Sequence, residues 1–88
     1  MPPVALTIDG TDRTCKGVIA KLETGLHDLP VGSLFMAIVG DVPTRVDVRA
    51  WADRRGHRVL EDRTRDRGGG FELLLAKGPS MDHGEIGS

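Results

Sequence analysis

Strand-like and helix-like hydrophobic patterns alternate along this chain, and their order limits the folds that it can adopt. Residues 4–9 alternate apolar and mixed positions, as a half-buried strand does. A helical stripe follows, with Val18 and, one, four and eight residues after it, Ile19, Leu22 and Leu26. Residues 33–39 form a nearly continuous apolar run, which is typical of a strand covered on much of both faces. The first half of the chain therefore predicts a strand, a helix and a second strand.

The second half predicts a helix followed by two strands. Thr44 with Asp47 resembles an N-cap with an acidic N3 position, and Gly56 suits the position that ends a helix. His57, directly after this glycine, is expected to make a capping or packing hydrogen bond. Residues 57–63 and 71–77 have strand patterns, and the glycine-rich residues 64–70 between them predict a hairpin connection.

The order βαβαββ predicts an α/β fold, a two-layer sandwich in which two helices pack on one face of a four-stranded mixed sheet. The expected core consists of Leu6, Ile8, Ile19, Leu22, Leu26, Ile38, Val48, Trp51, Val59, Leu73 and Leu75. The other sheet face would be partly open to water, which the polar residues Thr7, Arg58 and Glu72 permit. Residues 1–78 are expected to form this single domain. Residues 79–88 have no periodicity and are expected to be a disordered tail.

The composition argues against several classes of protein. A chain of 88 residues allows one small domain, and a net charge of −1 gives no overall attraction to nucleic acid or acidic lipid. The single cysteine cannot form an internal disulfide, and with three scattered histidines it fits no usual zinc-ligand spacing. The amino terminus lacks the pattern of a signal peptide, and no apolar run approaches membrane-spanning length. The expectation is a cytoplasmic protein without a metal or another cofactor.

Cys15 is the best candidate for a reactive side chain. A polar turn delivers it to the first turn of the first predicted helix, where backbone N–H groups lack intrahelical partners and the helix dipole is positive. Both effects favour a thiolate over a thiol, and the neighbouring charges of Arg13 and Lys16 act in the same direction. The alternative is an inert cysteine that serves only as a small packing residue.

Arginines are concentrated in residues 54–67, where few acidic residues offset them. A solvated rim around the hairpin is the simplest explanation, and a docking patch for an acidic partner is the functional one. RNA ranks lower, because the stretch lacks the interleaved aromatic residues on which bases stack. The candidate partner-binding residues are Arg13, Lys16, Arg54, Arg58 and Arg65.

Asp41 makes the turn after the second predicted strand acidic, and the second predicted helix has Asp47 followed by the aliphatic Val48 and, three positions later, the aromatic Trp51. Gly56-His57 starts the third predicted strand. In these features residues 4–77 resemble the TusA/SirA-like family of small sulfur-carrier proteins, which has the same residue types at the same places. Asp9 also stands six residues before Cys15, as it does in the family.

The chain departs from the family at the functional end. The family signature is Cys-Pro-x-Pro with a Gly three residues before the Cys, whereas this chain has Cys15-Lys16-Gly17-Val18 and Asp12. Proline in the first turn preorganises a helix start, and Gly17 is expected to loosen it.

The resemblance implies a sulfur carrier. Cys15 would accept sulfane sulfur from a donor such as a cysteine desulfurase or a rhodanese, hold it as a persulfide and pass it to an acceptor protein. The alternative is a non-catalytic module that binds protein or RNA through the arginine-rich third and fourth strands. The same two-layer architecture occurs in the RNA-binding C-terminal domain of translation initiation factor three, so the fold alone does not separate the two.

Overall fold

The computed structural model describes residues 3–11, 14–66 and 68–79. The elements are β1 (Val4–Gly10), α1 (Cys15–Leu26), β2 (Leu34–Val39), α2 (Val42–Arg55), β3 (Arg58–Thr64) and β4 (Phe71–Ala76). The predicted order βαβαββ is therefore confirmed. The predicted tail beyond Pro79 lies outside the described residues.

The four strands form one mixed sheet in the order β1-β2-β4-β3. β1 pairs with β2 in parallel, and β4 is antiparallel to both of its neighbours, β2 and β3. β1, β2 and β3 consequently run in the same direction. β4 lies between β2 and β3 in the sheet and runs in the opposite direction. This topology brings the carboxyl ends of the three parallel strands to one end of the sheet.

Both helices pack on the same face of the sheet and enclose one core between the two layers. The buried apolar side chains are Val18, Leu22, Leu26, Phe35, Ala37, Val39, Val48, Trp51, Ala52, Leu73 and Leu75. Four residues expected in the core pack against this cluster as partly buried neighbours: Leu6, Ile8, Ile19 and Val59. The two-layer α/β sandwich is thus the fold of the chain.

Ile38 was wrongly placed in the core. Successive side chains of a strand point to opposite faces, and in β2 the buried positions are Phe35, Ala37 and Val39. Ile38 therefore points to the face that carries no helix, where it is half-buried. An almost continuous apolar run contains no alternation, so the sequence could not show which of its residues face the helices.

The predicted N-cap of the second helix was also wrong. Asp41 is the N-cap of α2, and its Oδ1 accepts a hydrogen bond from the Thr44 backbone N–H at 2.9 Å. Pro43 is compatible with this earlier start, because a residue in the first helical turn has no intrahelical use for its N–H. Gly56 ends the helix with φ of 80°, as expected.

The start of α1 has a side-chain cap at the residue before the cysteine. Thr14 is the N-cap in an extended conformation, and its hydroxyl accepts a hydrogen bond from the Gly17 backbone N–H at 3.1 Å. The Val18 N–H then donates to the Thr14 carbonyl at 3.0 Å. A side-chain cap at Thr14 therefore closes the turn for which the family uses prolines.

Candidate functional site

The amino-terminal turns of the two helices meet at Cys15. Cys15 is the first residue of α1, and Thr44 lies in the first turn of α2. The Cys15 Sγ and the Thr44 Oγ1 are 3.2 Å apart, in a contact where either atom can donate the hydrogen bond. Thr44 is 4% exposed, whereas Cys15 is only half-buried. The thiol therefore contacts a buried hydroxyl, while the cysteine residue as a whole keeps part of its surface exposed.

A glycine fixes the position of this helix start against the sheet. At Gly10, the last residue of β1, a Cβ would lie 2.3 Å from Cγ2 of the buried Val18, so no other residue fits without a shift. In the turn that follows, Asp9 Oδ1 accepts hydrogen bonds from the Thr11 backbone N–H at 3.1 Å and the Thr11 hydroxyl at 2.7 Å. Close strand–helix packing and a local carboxylate cap thus determine where α1 and its cysteine begin.

Both helices present their amino-terminal ends to the contact between Cys15 and Thr44. The first backbone N–H groups of both helices have no intrahelical acceptor, and each helix has its positive dipole end here. Hydrogen bonds from the Thr44 hydroxyl and the Thr44 backbone N–H hold the pKa of Asp41 below its ordinary value. A hydroxyl has one proton, which Thr44 can direct either to Asp41 or to a thiolate at Cys15. The Thr44 backbone N–H donates to Asp41 in both cases, so Asp41 keeps one hydrogen bond when the hydroxyl proton points to Cys15.

The structure separates the candidate partner-binding residues into two groups. Lys16 is exposed beside Cys15. Arg65 directly follows β3 and lies at the same end of the sheet as Cys15, because Gly10, Val39, Phe71 and Thr64 align across the four strands there. Arg54 lies ten residues beyond Thr44, about 15 Å along the axis of α2.

Arg58 begins β3 opposite Ala76, at the end of the sheet away from Cys15. Arg13 lies outside the described residues. The expected single arginine-rich patch is therefore divided between the two ends of the domain.

Arg65 is also engaged within the domain. Its guanidinium lies 3.7 Å from the Glu72 carboxylate, and its side chain is 25% exposed. Both residues line a shallow polar depression of about 300 Å³ at the hairpin. The carboxylate partly neutralises the positive charge that Arg65 presents to a partner.

Sequence analysis missed a second polar cluster, which joins α2 to the sheet. Arg45 donates from Nε to both carboxylate oxygens of Asp62 at 3.0 and 2.9 Å, and Arg49 reaches the same carboxylate at 2.7 Å. The Arg45 guanidinium also lies 4.8 Å from the centre of the Phe71 ring. A bulge between Val59 and Glu61 turns Asp62 toward the helices, and no local sequence pattern indicates that bulge.

Among residues 3–11, 14–66 and 68–79, no group of three or more His, Cys, Asp and Glu side chains could hold a metal ion. No helix in those ranges has the length and the apolar character needed to cross a membrane.

Comparisons of the chain with protein-family models, with curated proteins and with solved structures found no match. The function proposed below therefore depends on the residues and geometry of this chain.

Proposed function

We propose that this protein is a sulfur carrier of the TusA/SirA-like kind, which accepts sulfane sulfur as a persulfide on Cys15 and relays it to an acceptor. The observation that carries the proposal is the position of Cys15. Cys15 is half-buried in the first turn of α1, and its sulfur contacts a buried hydroxyl in the first turn of α2. A carrier needs one such thiol, because a second cysteine nearby could resolve the persulfide into a disulfide.

The transfer step requires no external oxidant or reductant. The Cys15 thiolate attacks the outer sulfur of a persulfide on the donor, and a bond forms between the two sulfurs. The bond between the donor's own sulfurs breaks, and its electron pair leaves with the donor thiolate. Cys15 then holds the outer sulfur until an acceptor nucleophile attacks it and releases the Cys15 thiolate. At both stages the Thr44 hydroxyl can donate a hydrogen bond to the negatively charged sulfur, and the positive dipole end of α1 acts in the same direction.

The proposed donor is a cysteine desulfurase or a rhodanese-type enzyme, and the proposed setting is the cytoplasm. Such a donor would approach the end of the domain where Cys15 lies. Lys16 and Arg65 are the candidate contacts at this end. Arg54 and Arg58 lie too far away to contact the same small surface around Cys15.

The decisive experiment is persulfide formation on the purified chain. After incubation with a cysteine desulfurase and free cysteine, intact-mass spectrometry should show the addition of one sulfur atom, which a reductant removes. Cys15→Ser is the matched control, because it removes the only thiol and should abolish the addition. Failure of the wild-type chain to gain sulfur from both a desulfurase and a rhodanese donor would refute the carrier function.

A further inference from the structure

Thr44 is the only polar or charged residue that is buried among residues 3–11, 14–66 and 68–79, with 4% of its surface exposed. A buried hydroxyl is costly unless it is hydrogen-bonded. The Cys15 sulfur lies 3.2 Å from the Thr44 hydroxyl oxygen, and the hydroxyl also makes a hydrogen bond with the Asp41 carboxylate. Asp41 is exposed at the N-cap of α2, so one buried hydroxyl connects a carboxylate in solvent with the thiol.

The hydroxyl has one proton, and the charge on the sulfur decides where that proton points. A thiol at Cys15 donates its S–H to the Thr44 oxygen, and the hydroxyl then donates to Asp41. A thiolate at Cys15 can only accept, so the hydroxyl donates to the sulfur instead. Of its two hydrogen bonds from Thr44, Asp41 then keeps the one from the backbone N–H, at 2.9 Å. Asp41 and a Cys15 thiolate therefore compete for one proton.

We infer that Asp41 restrains the charge on Cys15 through the Thr44 hydroxyl and is a positioning residue of the thiol site. An ionised carboxylate accepts a stronger hydrogen bond than a neutral group does, so Asp41 holds the hydroxyl proton while Cys15 is a thiol. Neutralising Asp41 frees this proton for the sulfur and favours the thiolate that attacks a donor. The role in sulfur transfer rests on the proposed function, whereas the coupling between the two side chains does not.

Other charged residues surround the contact and are the same in every comparison made below. Those in the first turns of the two helices and at the adjoining end of the sheet are Asp9, Lys16, Arg45, Asp47 and Arg65. Asp9 accepts hydrogen bonds from Thr11, and Arg45 and Arg65 pair with Asp62 and Glu72. Differences between variants of Asp41 and Thr44 therefore report on those two residues.

An NMR titration of the Asp41 carboxyl in the full chain tests the outer half of the coupling. Hydrogen bonds from the Thr44 hydroxyl and backbone N–H hold the pKa of Asp41 below its ordinary value. Thr44→Val removes only the hydroxyl and should raise the pKa of Asp41 toward that value, whereas Thr44→Ser should leave it nearly unchanged. A pKa of Asp41 that does not rise in the valine variant would overturn the inference.

The rate of Cys15 alkylation by iodoacetamide tests the inner half. Asp41→Asn keeps a good N-cap residue but removes the charge, and it should raise the rate at about pH 7 about threefold, the effect of a modest hydrogen bond. At about pH 10, where ordinary thiols are largely ionised, it should not raise the rate. Asp53→Asn makes the same change at an exposed position near the other end of α2 and should alter neither rate. An unchanged ratio of the two rates in the Asp41 variant would overturn the inference.

Combining the two substitutions separates the route through the hydroxyl from a direct effect of the charge. In the Thr44→Val chain, Asp41→Asn should change the rate at neutral pH by less than about twofold, because there is no hydroxyl proton to compete for. A threefold acceleration that persists in this chain would overturn the inference. Sulfur loading by a desulfurase is measured separately on the same variants. Absence of loading with the coupling intact would refute the carrier function alone, and loading without the coupling would overturn this inference alone.

Discussion

Thr44 is the residue that links the cysteine to the second helix. Its side chain is buried, its hydroxyl contacts the Cys15 sulfur, and its backbone N–H satisfies the Asp41 cap. A hydroxyl at this position can stabilise negative charge on sulfur without introducing a charge of its own. Thr44 is therefore the side chain whose removal should affect the thiol most directly.

Thr44→Val should slow the alkylation of Cys15 by iodoacetamide at neutral pH about three- to tenfold. Valine preserves the shape of threonine but removes the hydroxyl, and a hydrogen bond contributes about 0.5–1.5 kcal/mol. Thr44→Ser keeps the hydroxyl and should retain most of the wild-type rate. The signal is unambiguous because the chain has one thiol. An unchanged or faster rate in the valine variant would show that the hydroxyl does not assist the thiolate.

His57 is half-buried and serves the packing role expected from the sequence. Its ring meets Phe35 edge-on with centroids 5.6 Å apart, and its Nδ1 accepts a hydrogen bond from the Gly78 backbone N–H at 3.0 Å. Burial, followed by the positive charges of Lys77 and Arg55, lowers the pKa of His57 below its ordinary value of 6.5, although Glu23 opposes the shift. The neutral ring is therefore the form that the fold favours.

The free energy of unfolding should fall as the pH drops below about 6.5, because the unfolded chain then binds a proton that the folded His57 resists. Above that pH the contribution of His57 is fully present. Urea unfolding at a series of pH values measures the effect. His57→Gln keeps an acceptor for the Gly78 N–H but cannot titrate, so its stability should decline less over the same interval. Equal declines in both proteins would exclude His57 as the source.

At the scale of the elements, hydrogen bonds from residues outside α1 stabilise both its first turn and its last turn. Its last turn contains no basic residue. Lys77, which follows β4, donates from Nζ to the carbonyls of Leu26 and Leu29, both at 2.5 Å. Leu26 is the last residue of α1, where carbonyls lack intrahelical donors, and Leu29 lies in the turn that follows. A cation at this end also complements the negative end of the helix dipole.

Lys77→Met should therefore lower the free energy of unfolding by about 1.5–3 kcal/mol, the usual contribution of hydrogen bonds to a charged group. Methionine preserves most of the apolar stem but cannot donate to the carbonyls. Lys21→Met makes the same chemical change on the exposed side of α1 and should alter stability little. Urea denaturation of both variants provides the comparison. A similar loss in both would argue against a specific role of Lys77 at the end of α1.

At the scale of the whole molecule, Trp51 connects the three parts of the fold. It is 3% exposed on α2, its ring lies 6.3 Å from that of Phe35 in β2, and its Nε1–H donates to Glu23 of α1 at 3.0 Å. The same Glu23 carboxylate pairs with Arg55 at 2.8 Å. One side chain thus contacts both helices and the sheet.

Trp51→Ala should cost about 3–5 kcal/mol, as large-to-small substitutions of buried aromatic residues do. Such a loss is a large fraction of the roughly 5–15 kcal/mol that stabilises a typical domain. Trp51→Phe keeps an aromatic ring in the core, loses the hydrogen bond to Glu23 and part of the buried ring, and should cost less. Denaturant unfolding of the two variants measures both values. A loss below about 1 kcal/mol in the alanine variant would contradict a central packing role.

The sequence by itself determined the elements, their order and most of the core. Hydrophobic periodicity, glycine and proline are local signals, and they were sufficient for the six elements, for Trp51 as a core residue and for Cys15 near a helix start. They were insufficient where local patterns are ambiguous. Ile38 lies in an unbroken apolar run, and both Asp41 and Thr44 are good N-cap residues, so neighbouring structure decided each case.

Only the tertiary structure decided which distant residues meet. The contact of Cys15 with Thr44, the ion pairs of Arg45 with Asp62 and the capping of α1 by Lys77 join positions 29, 17 and about 50 residues apart. The same topology separated Arg54 and Arg58 from Cys15, although all were plausible parts of one surface. Such contacts depend on strand order, register and a bulge in β3. These arise when the elements pack together, and no short stretch of sequence encodes them.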